Sequence, residues 1–292
     1  MPLPVAVVVV TWNSAHEVED CLRSALAEDP AEVVVVDNGS ADATAEKVRA
    51  EFPAAKIVAL AENRGFAAGC NLGLAETKAP YVLFLNADAR LAPGYLHVLL
   101  AELTSNPRAA SATGKLVWER EGARVIDSAG IELCAWALRP GDRGRGEPDR
   151  GQYDHPGGIF GPSATAAVFR RAALSKLSPE VFDEDLFAYY EDVDLAWRLR
   201  RRGWRHLYVP GAVALHARRG ADAKPPEIAA RAFANRYLVW LKNESLARFA
   251  LYAPVALPWE SARLLRRALR RPALLTGIPA ALRLVPRMLA KR

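Results

Sequence analysis

Residues 80–88 read PYVLFLNAD. Tyr81 to Leu85 is an unbroken apolar run with β-branched and aromatic members, the pattern of a short strand buried on both faces in a parallel sheet. The run stops abruptly at Asn86-Ala87-Asp88. In an open α/β sheet, a carboxylate at the carboxyl end of a buried strand faces the crevice where ligands bind. Asn and Asp are also ordinary turn formers, so this stretch alone leaves two readings open, a ligand site and a strand-ending turn.

The flanking sequence repeats the pattern. Val5 to Thr11 (VAVVVVT) is a first strand, and Asn13 or Ser14 then opens a helix, with Ser14 and Glu17 spaced as a capping box. Val18, Cys21, Leu22, Ala25 and Leu26 form one apolar helical face. Val33 to Val36 is a second buried strand, ending in Asp37-Asn38-Gly39-Ser40; a helix to about Phe52 and a strand near Lys56 to Leu60 follow. Solid apolar strands alternating with helices indicate an α/β fold with a mostly parallel central sheet. Gly65, Gly69 and Gly73 then recur along one side of a helix, where glycine costs about 1 kcal/mol relative to alanine. They imply close backbone approach to a neighbouring strand or to a ligand. Asn63, Arg64 and Gly65 precede this helix, where free N–H groups can meet an anion.

Farther along, Pro93 opens a helix to about Ser105, and Ala110 to Trp118 and Thr165 to Phe169 read as strands. Residues 139–151 (RPGDRGRGEPDRG) read as a mobile loop over one edge of the site or a connector. Six carboxylates, Asp183, Glu184, Asp185, Glu191, Asp192 and Asp194, crowd among Phe182, Phe187, Tyr189 and Tyr190, suggesting a partly buried binding surface; the first turn of a helix also accommodates acids. Strands from His206 to Val209 and Val213 to His216 follow.

The chain has 292 residues, 51% hydrophobic and 25% charged, as expected of a soluble globular protein. Cys21, Cys70 and Cys134 have neither metal-site nor disulfide spacing and suit a reducing cytoplasm. The first residues lack a basic segment and a cleavage pattern, so they read as a strand rather than a signal peptide. The net charge of +6 is unevenly placed. No acidic residue follows Glu260, whereas Arg263, Arg266, Arg267, Arg270, Arg271, Arg283, Arg287, Lys291 and Arg292 do. The remainder is net acidic, so the basic balance does not point to a nucleic-acid partner. The tail is helical by period, with Pro254, Pro258, Pro272, Pro279 and Pro286 expected to divide it into short helices. No stretch offers the roughly 18–20 uncharged apolar residues of a membrane span. The one-sided charge favours an amphipathic tail on an anionic membrane surface over an arginine-faced helix packed on the domain.

Three strand ends, Thr11–Asn13, Asp37 and Asn86–Asp88, should therefore share one crevice. Asp37 can accept the N3–H of a uracil or thymine ring. Asp88 can hold a divalent ion bridging diphosphate oxygens, His216 can complete its shell, and Asp192 can take a proton from an acceptor hydroxyl.

As a set, VVVVTWNS (7–14), VVVVDNGSADAT (33–44), ENRGFAAGCNLGL (62–74), VLFLNAD (82–88), FDEDLFAYYEDVDLAWRLRRRGW (182–204) and His216 resemble the family-2 glycosyltransferases of GT-A fold, in particular their bacterial rhamnosyltransferase-like branch. The resemblance covers about residues 4–220. It implies a GT-A domain over 1–222, with a donor half to about 118 and an acceptor half over 119–222, followed by a helical, basic C-terminal region over 223–292. It places the pyrimidine contact on Asp37, with Thr11 and Asn13 lining base and ribose, and a donor-side segment on Asn63 and Gly65. The metal motif falls on Asn86-Ala87-Asp88; its first carboxylate is Asn here, leaving Asp88 to carry Mg²⁺ or Mn²⁺, with His216 as a further ligand. The base motif falls on Glu191-Asp192, with Asp192 as the base.

The implied activity is inverting transfer of a sugar, rhamnose for this branch, from a dTDP- or UDP-linked donor to a lipid-linked or cell-envelope glycan, by an enzyme peripheral to the inner face of the membrane. The alternatives weighed are a non-catalytic nucleotide- or glycan-binding module and a nicotinamide oxidoreductase. The latter lacks a Gly-x-Gly-x-x-Gly turn after its first strand.

Overall fold

The computed structural model describes residues 1–120, 122–134, 139–177, 180–218 and 226–292. The sheet begins with β1 (Leu3–Thr11), β2 (Pro30–Asp37) and β3 (Lys56–Ala59), alternating with α1 (Val18–Leu26), α2 (Thr44–Glu51) and α3 (Phe66–Ala75). β4 (Tyr81–Asn86), the short β5 (Ala89–Leu91) and α4 (Tyr95–Ser105) follow. Next come β6 (Ala109–Arg120), β7 (Ala123–Ser128), β8 (Ile131–Cys134), β9 (Arg139–Asp142), β10 (Gly157–Ile159), β11 (Ala166–Arg170) and α5 (Arg171–Leu174). The last of the sheet is α6 (Glu191–Arg201) and β12 (Arg205–His216); the tail is α7 (Pro226–Asn243), α8 (Leu246–Arg270), a 3₁₀ turn (Pro272–Gly277) and α9 (Ile278–Ala290).

Strand order is β10-β12-β6-β11-β4-β1-β2-β3, with β5 on β12 and β7 on β6. β3, β2, β1 and β4 run parallel, as do β6 and β12; β11 runs antiparallel between β4 and β6. Strand alternation divides the valines of β1 between two cores. Val5, Val7 and Val9 pack with Leu22 of α1, Val48 of α2 and Leu96 and Leu99 of α4. Val8 and Val10 pack on the other side with Cys70 of α3, Leu174 of α5 and Leu195 and Leu199 of α6. Register then aligns the strand ends. Thr11 pairs with Asp37, and Val10 with Asn86.

Both glycines within α3 serve packing. A Cβ on Gly69 would stand 2.6 Å from Val10, and one on Gly73 2.3 Å from Val8. These distances are far below van der Waals contact, so the glycines let α3 lie close on β1. Gly65 takes φ +91° against the Phe187 ring, a backbone region L-residues rarely adopt.

Several expectations need correction. The helix after β1 begins at Val18 with no side-chain cap, and the Ser14 carbonyl, not its hydroxyl, accepts the first N–H groups. Residues 139–151 are not simply a connector, because Arg139–Asp142 forms β9, paired antiparallel with β8. Pro254 and Pro258 lie inside α8, which stays a single 25-residue helix. Among the described residues, Pro272–Ala290 is long and apolar enough by length and composition to span a membrane, although it carries Arg283 and Arg287. The boundary expected at 222/223 lies outside the described residues.

The acidic cluster also has a different explanation. Asp183, Asp185 and Asp194 are occupied by cations of the tail. Lys242 of α7 bridges Asp183 (2.6 Å) and Asp194 (2.9 Å). Lys291 reaches Asp183, Glu180 and Asp185, and Arg287 reaches Asp185 at 2.8 Å. Burial opposes the charge on Asp183, but Lys242 and Lys291 outweigh it and hold the carboxyl at about 2. These acids dock the tail rather than present a ligand surface.

Candidate active site

A cleft of about 1090 Å³ opens along the carboxyl rim of the sheet. Its sheet wall carries Thr11, Asn13, Asn63, Asn86, Asp88 and His216. A second wall, from the turn before α6 and the start of α6, carries Tyr189, Tyr190, Glu191 and Asp192. Two proposed site residues stand behind the lining. Asp37 is only 3% exposed; it accepts from the Thr11 hydroxyl at 3.0 Å and from the Ser40 N–H at 3.2 Å. Gly65 presents its carbonyl to the Asn38 amide. The N–H groups expected to meet an anion are also taken, since Arg64 donates to Asn38 Oδ1 and Gly65 to Asn63 Oδ1, each at 2.9 Å. Asn13 lines the cleft with φ 52°, and its side-chain oxygen accepts from the Ala41 N–H.

Pairing of β12 with β5 sets His216 opposite Ala89, beside Asp88. His216 Nε2 lies 3.2 Å from Asp88 Oδ1, and its Nδ1 lies 2.6 Å from Asp127 Oδ2. Burial opposes the imidazolium, but the bonds to Asp127 and Asp88 prevail and raise its pKa to about 9. Asp127 sits where the β6–β7 register slips between Leu116–Ser128 and Val117–Ile126. A bulge of this kind re-aims a side chain, and here it gives Asp127 to His216 and Arg218. Sequence reading missed Asp127, because a bulge leaves no mark in apolar periodicity.

The second wall rests on a strained turn. Phe187, Tyr189 and Tyr190 all have positive φ (64°, 69° and 73°), conformations that cost roughly 1–3 kcal/mol each for such residues. Asn235 of α7 holds the turn, its amide reaching the carbonyls of Leu186 (2.7 Å), Ala188 (3.0 Å) and Tyr189 (3.0 Å). The chain then enters α6 with Glu191 buried and Asp192 half-buried. Asp192 accepts from the N–H groups of Ala164 (3.3 Å) and Val193 (2.8 Å). Burial and the nearby Asp142 carboxylate raise its pKa to about 6, against the weaker pull of those N–H groups. Asp142, on β9 in the run expected to form a loop over one edge of the site or a connector, is a second residue that sequence reading did not single out. Burial also pushes the Tyr189 hydroxyl upward, and the charges of Glu191 and Asp88 add to it, so both walls act on one ring. One cleft of substrate size is therefore lined, at neutral pH, by an unprotonated Asp192 carboxylate and by an Asp88–His216 carboxylate–imidazolium pair.

The glycosyl transferase family 2 model matches residues 6–178. The N-acetylglucosaminyl-diphospho-decaprenol L-rhamnosyltransferase of Mycobacterium tuberculosis is 29% identical over 244 residues, 75% of this chain and 78% of the relative. Among solved structures, Staphylococcus aureus TarS (residues 1–349) superposes with a TM-score of 0.59 at 20% identity, covering 100% of this chain and 83% of that one. The mannosyltransferase PcManGT of Pyrobaculum calidifontis, solved with GDP-Man and Mn²⁺, gives 0.58 at 24% identity, covering 100% and 86%. The fold is that of the GT-A glycosyltransferases, and the family match spans β1 through β11 and α5, more than half of the molecule. The chain belongs to glycosyl transferase family 2.

Proposed function

We propose that this glycosyltransferase moves a sugar with inversion from a dTDP- or UDP-linked donor to a lipid-linked or cell-envelope glycan, and that the sugar is rhamnose. The observation that carries the reading is that Asp192, raised to about 6, and the Asp88–His216 pair line one cleft. At neutral pH Asp192 is ionised and takes the proton of the acceptor hydroxyl. The hydroxyl oxygen forms a bond to the anomeric carbon as the bond to the nucleoside diphosphate breaks on the opposite face. Inversion follows from the single displacement, and no enzyme nucleophile is required. Glu191, buried beside Asp192, shapes the start of α6. Thr11, Asn13, Asn63 and Asn86 line the donor side. Asp37 and Gly65 support that side from behind, Asp37 by fixing Thr11 and Ser40. The choice of rhamnose rests on the similarity to the mycobacterial enzyme.

The donor set around Asp88 suits Mg²⁺ or Mn²⁺. It combines a hard carboxylate oxygen with an imidazole whose other nitrogen is held by a carboxylate, the usual support of a metal-ligating histidine. No group of three such ligands occurs among the described residues, so Asp88 and His216 would share the ion with the donor diphosphate. The ion would supply positive charge to the leaving diphosphate.

Membrane attachment is assigned to α8. Leu251, Val255, Leu265 and Leu269 lie along one stripe of this helix and are 59–83% exposed, flanked by Arg248, Arg266 and Arg270. Such a face fits an anionic bilayer surface. The test of the whole reading is turnover of dTDP-rhamnose and UDP-sugars with and without Mn²⁺. Metal-dependent release of nucleoside diphosphate supports a transferase. Donor binding without any release would mark a non-catalytic binding module.

A further inference from the structure

We infer that the tail wall of the cleft is a binding site for the diphosphate of a lipid-linked acceptor, with Arg267 as its principal anion contact. The inference rests on the transferase reading above and deepens it. α7, α8 and the 3₁₀ turn contribute Phe233, Arg236, Arg263, Arg267 and Leu274 to the lining. These helices thus bring three guanidinium groups to the lining, and one carboxylate of α8, Glu260, pairs with two of them. Arg236 holds Glu260 at 2.5 Å, and Arg263 holds it through two bonds of 2.7 and 2.8 Å. Among the described residues, Arg267 has no carboxylate partner. Its guanidinium lies over the Phe233 ring, 5.2 Å from the centroid. α7 and α8 therefore bring to the lining more positive charge than Glu260 balances, on residues whose planar donor forks match phosphate oxygens.

Position indicates which substrate this charge serves. The charges of Arg236, Arg267 and Asp192 all reach Tyr190, whose hydroxyl is pushed up chiefly by burial. Asn235, adjacent to Arg236 on α7, bonds the Tyr189 carbonyl, so the arginine-bearing helices pack against the turn that leads into Asp192. A donor diphosphate at Asp88 leaves the arginines for a second anion, one attached to the molecule that gives its proton to Asp192. Phe233 and Leu274 beside the arginines present hydrocarbon to whatever follows the phosphate. An anion site with a short apolar wall beside it matches a diphosphate joined to a prenyl chain.

The test is calorimetric titration of the full chain with farnesyl diphosphate, inorganic pyrophosphate and the donor nucleotide, for wild type, Arg267→Ala and Arg267→Lys. Loss of one charge-assisted contact should weaken farnesyl diphosphate about tenfold or more in Arg267→Ala. Arg267→Lys should fall between the two, and donor-nucleotide affinity should be unchanged. In turnover with a prenyl-diphosphate-linked N-acetylglucosamine, KM for the acceptor should rise by the same factor. Farnesyl diphosphate that fails to bind wild type, or binds Arg267→Ala equally well, overturns the site. Pyrophosphate binding as tightly as farnesyl diphosphate overturns its lipid part. Weakened donor nucleotide in Arg267→Ala assigns the arginine to the donor and likewise overturns the inference. Because these are binding measurements, a site that holds farnesyl diphosphate in a protein that transfers no sugar would separate failure of the transferase reading from failure of this one.

Discussion

The two walls of the cleft are built by different physics. The sheet wall is positioned by backbone register. Once β1, β2 and β4 pair in parallel, Thr11, Asp37 and Asn86 arrive at one rim. The second wall is positioned by side chains. A turn with three aromatic residues at positive φ is held by one amide from a helix about 45 residues later in the chain. A register survives the loss of a single side chain, whereas a turn held by one side chain need not. Substitutions on the two walls should therefore have different signatures, with ligand-binding losses on the sheet wall and rate losses on the other.

The largest effect is expected at Asp192. Asp192→Asn keeps size and shape but cannot take a proton, so kcat should fall about 10²- to 10⁴-fold while calorimetry finds the donor bound as before. Simultaneous loss of donor binding would mean that the two walls are not chemically separate and would overturn the assignment of the base.

Next in size is Asp127, the bulge residue behind His216. Asp127→Asn leaves Asp88 and His216 in place but removes the charge that orients the ring. Outer-shell changes of this kind cost about 10- to 100-fold in metal affinity. Titrating Mn²⁺ against turnover should show a shifted metal requirement with little change in rate at saturating metal. An unaltered requirement would remove His216 from the metal site.

Asn235→Ala probes the clamp. Three carbonyls lose their donor in a buried, strained turn, which should cost about 1–3 kcal/mol of stability. Urea denaturation can measure that loss, and kcat should fall several-fold with KM for the donor unchanged. A variant that loses the stability but keeps full kcat would show that the turn positions nothing catalytic.

The same contrast explains what the sequence made legible. Buried parallel strands are written as continuous apolar runs, so β1, β2 and β4 and the polar residues that end them are visible in VAVVVVT, VVVVD and VLFLN. Asp127 is not, because its role comes from a one-residue slip in pairing. Asp142 is hidden in a run of glycine, proline and charge whose strand character comes only from β8 across from it. The acids at 183 and 185 read as a ligand surface because their partners, Lys242, Arg287 and Lys291, lie some 60 to 110 residues away, whereas Asp194 also has Arg198 four residues on. Local charge density cannot distinguish an ion pair made within the chain from one kept for a substrate.

Asp142 also yields the smallest effect and the most discriminating one. The base is active when ionised, so kcat/KM should rise with pH through a midpoint near 6 and level off above it, reporting the free enzyme. Burial is the main cause of that raised value, and the Asp142 carboxylate adds to it because a second negative charge nearby disfavours ionisation of the first. Asp142→Asn removes the like charge and leaves the burial. The midpoint should therefore move down but remain above the ordinary aspartate value, and at pH 5.5 the variant should be faster than wild type while the two converge above pH 7. A midpoint that does not move would separate Asp142 from the base. A midpoint that moves up would contradict the electrostatics of this wall, because loss of a neighbouring negative charge can only make Asp192 easier to ionise.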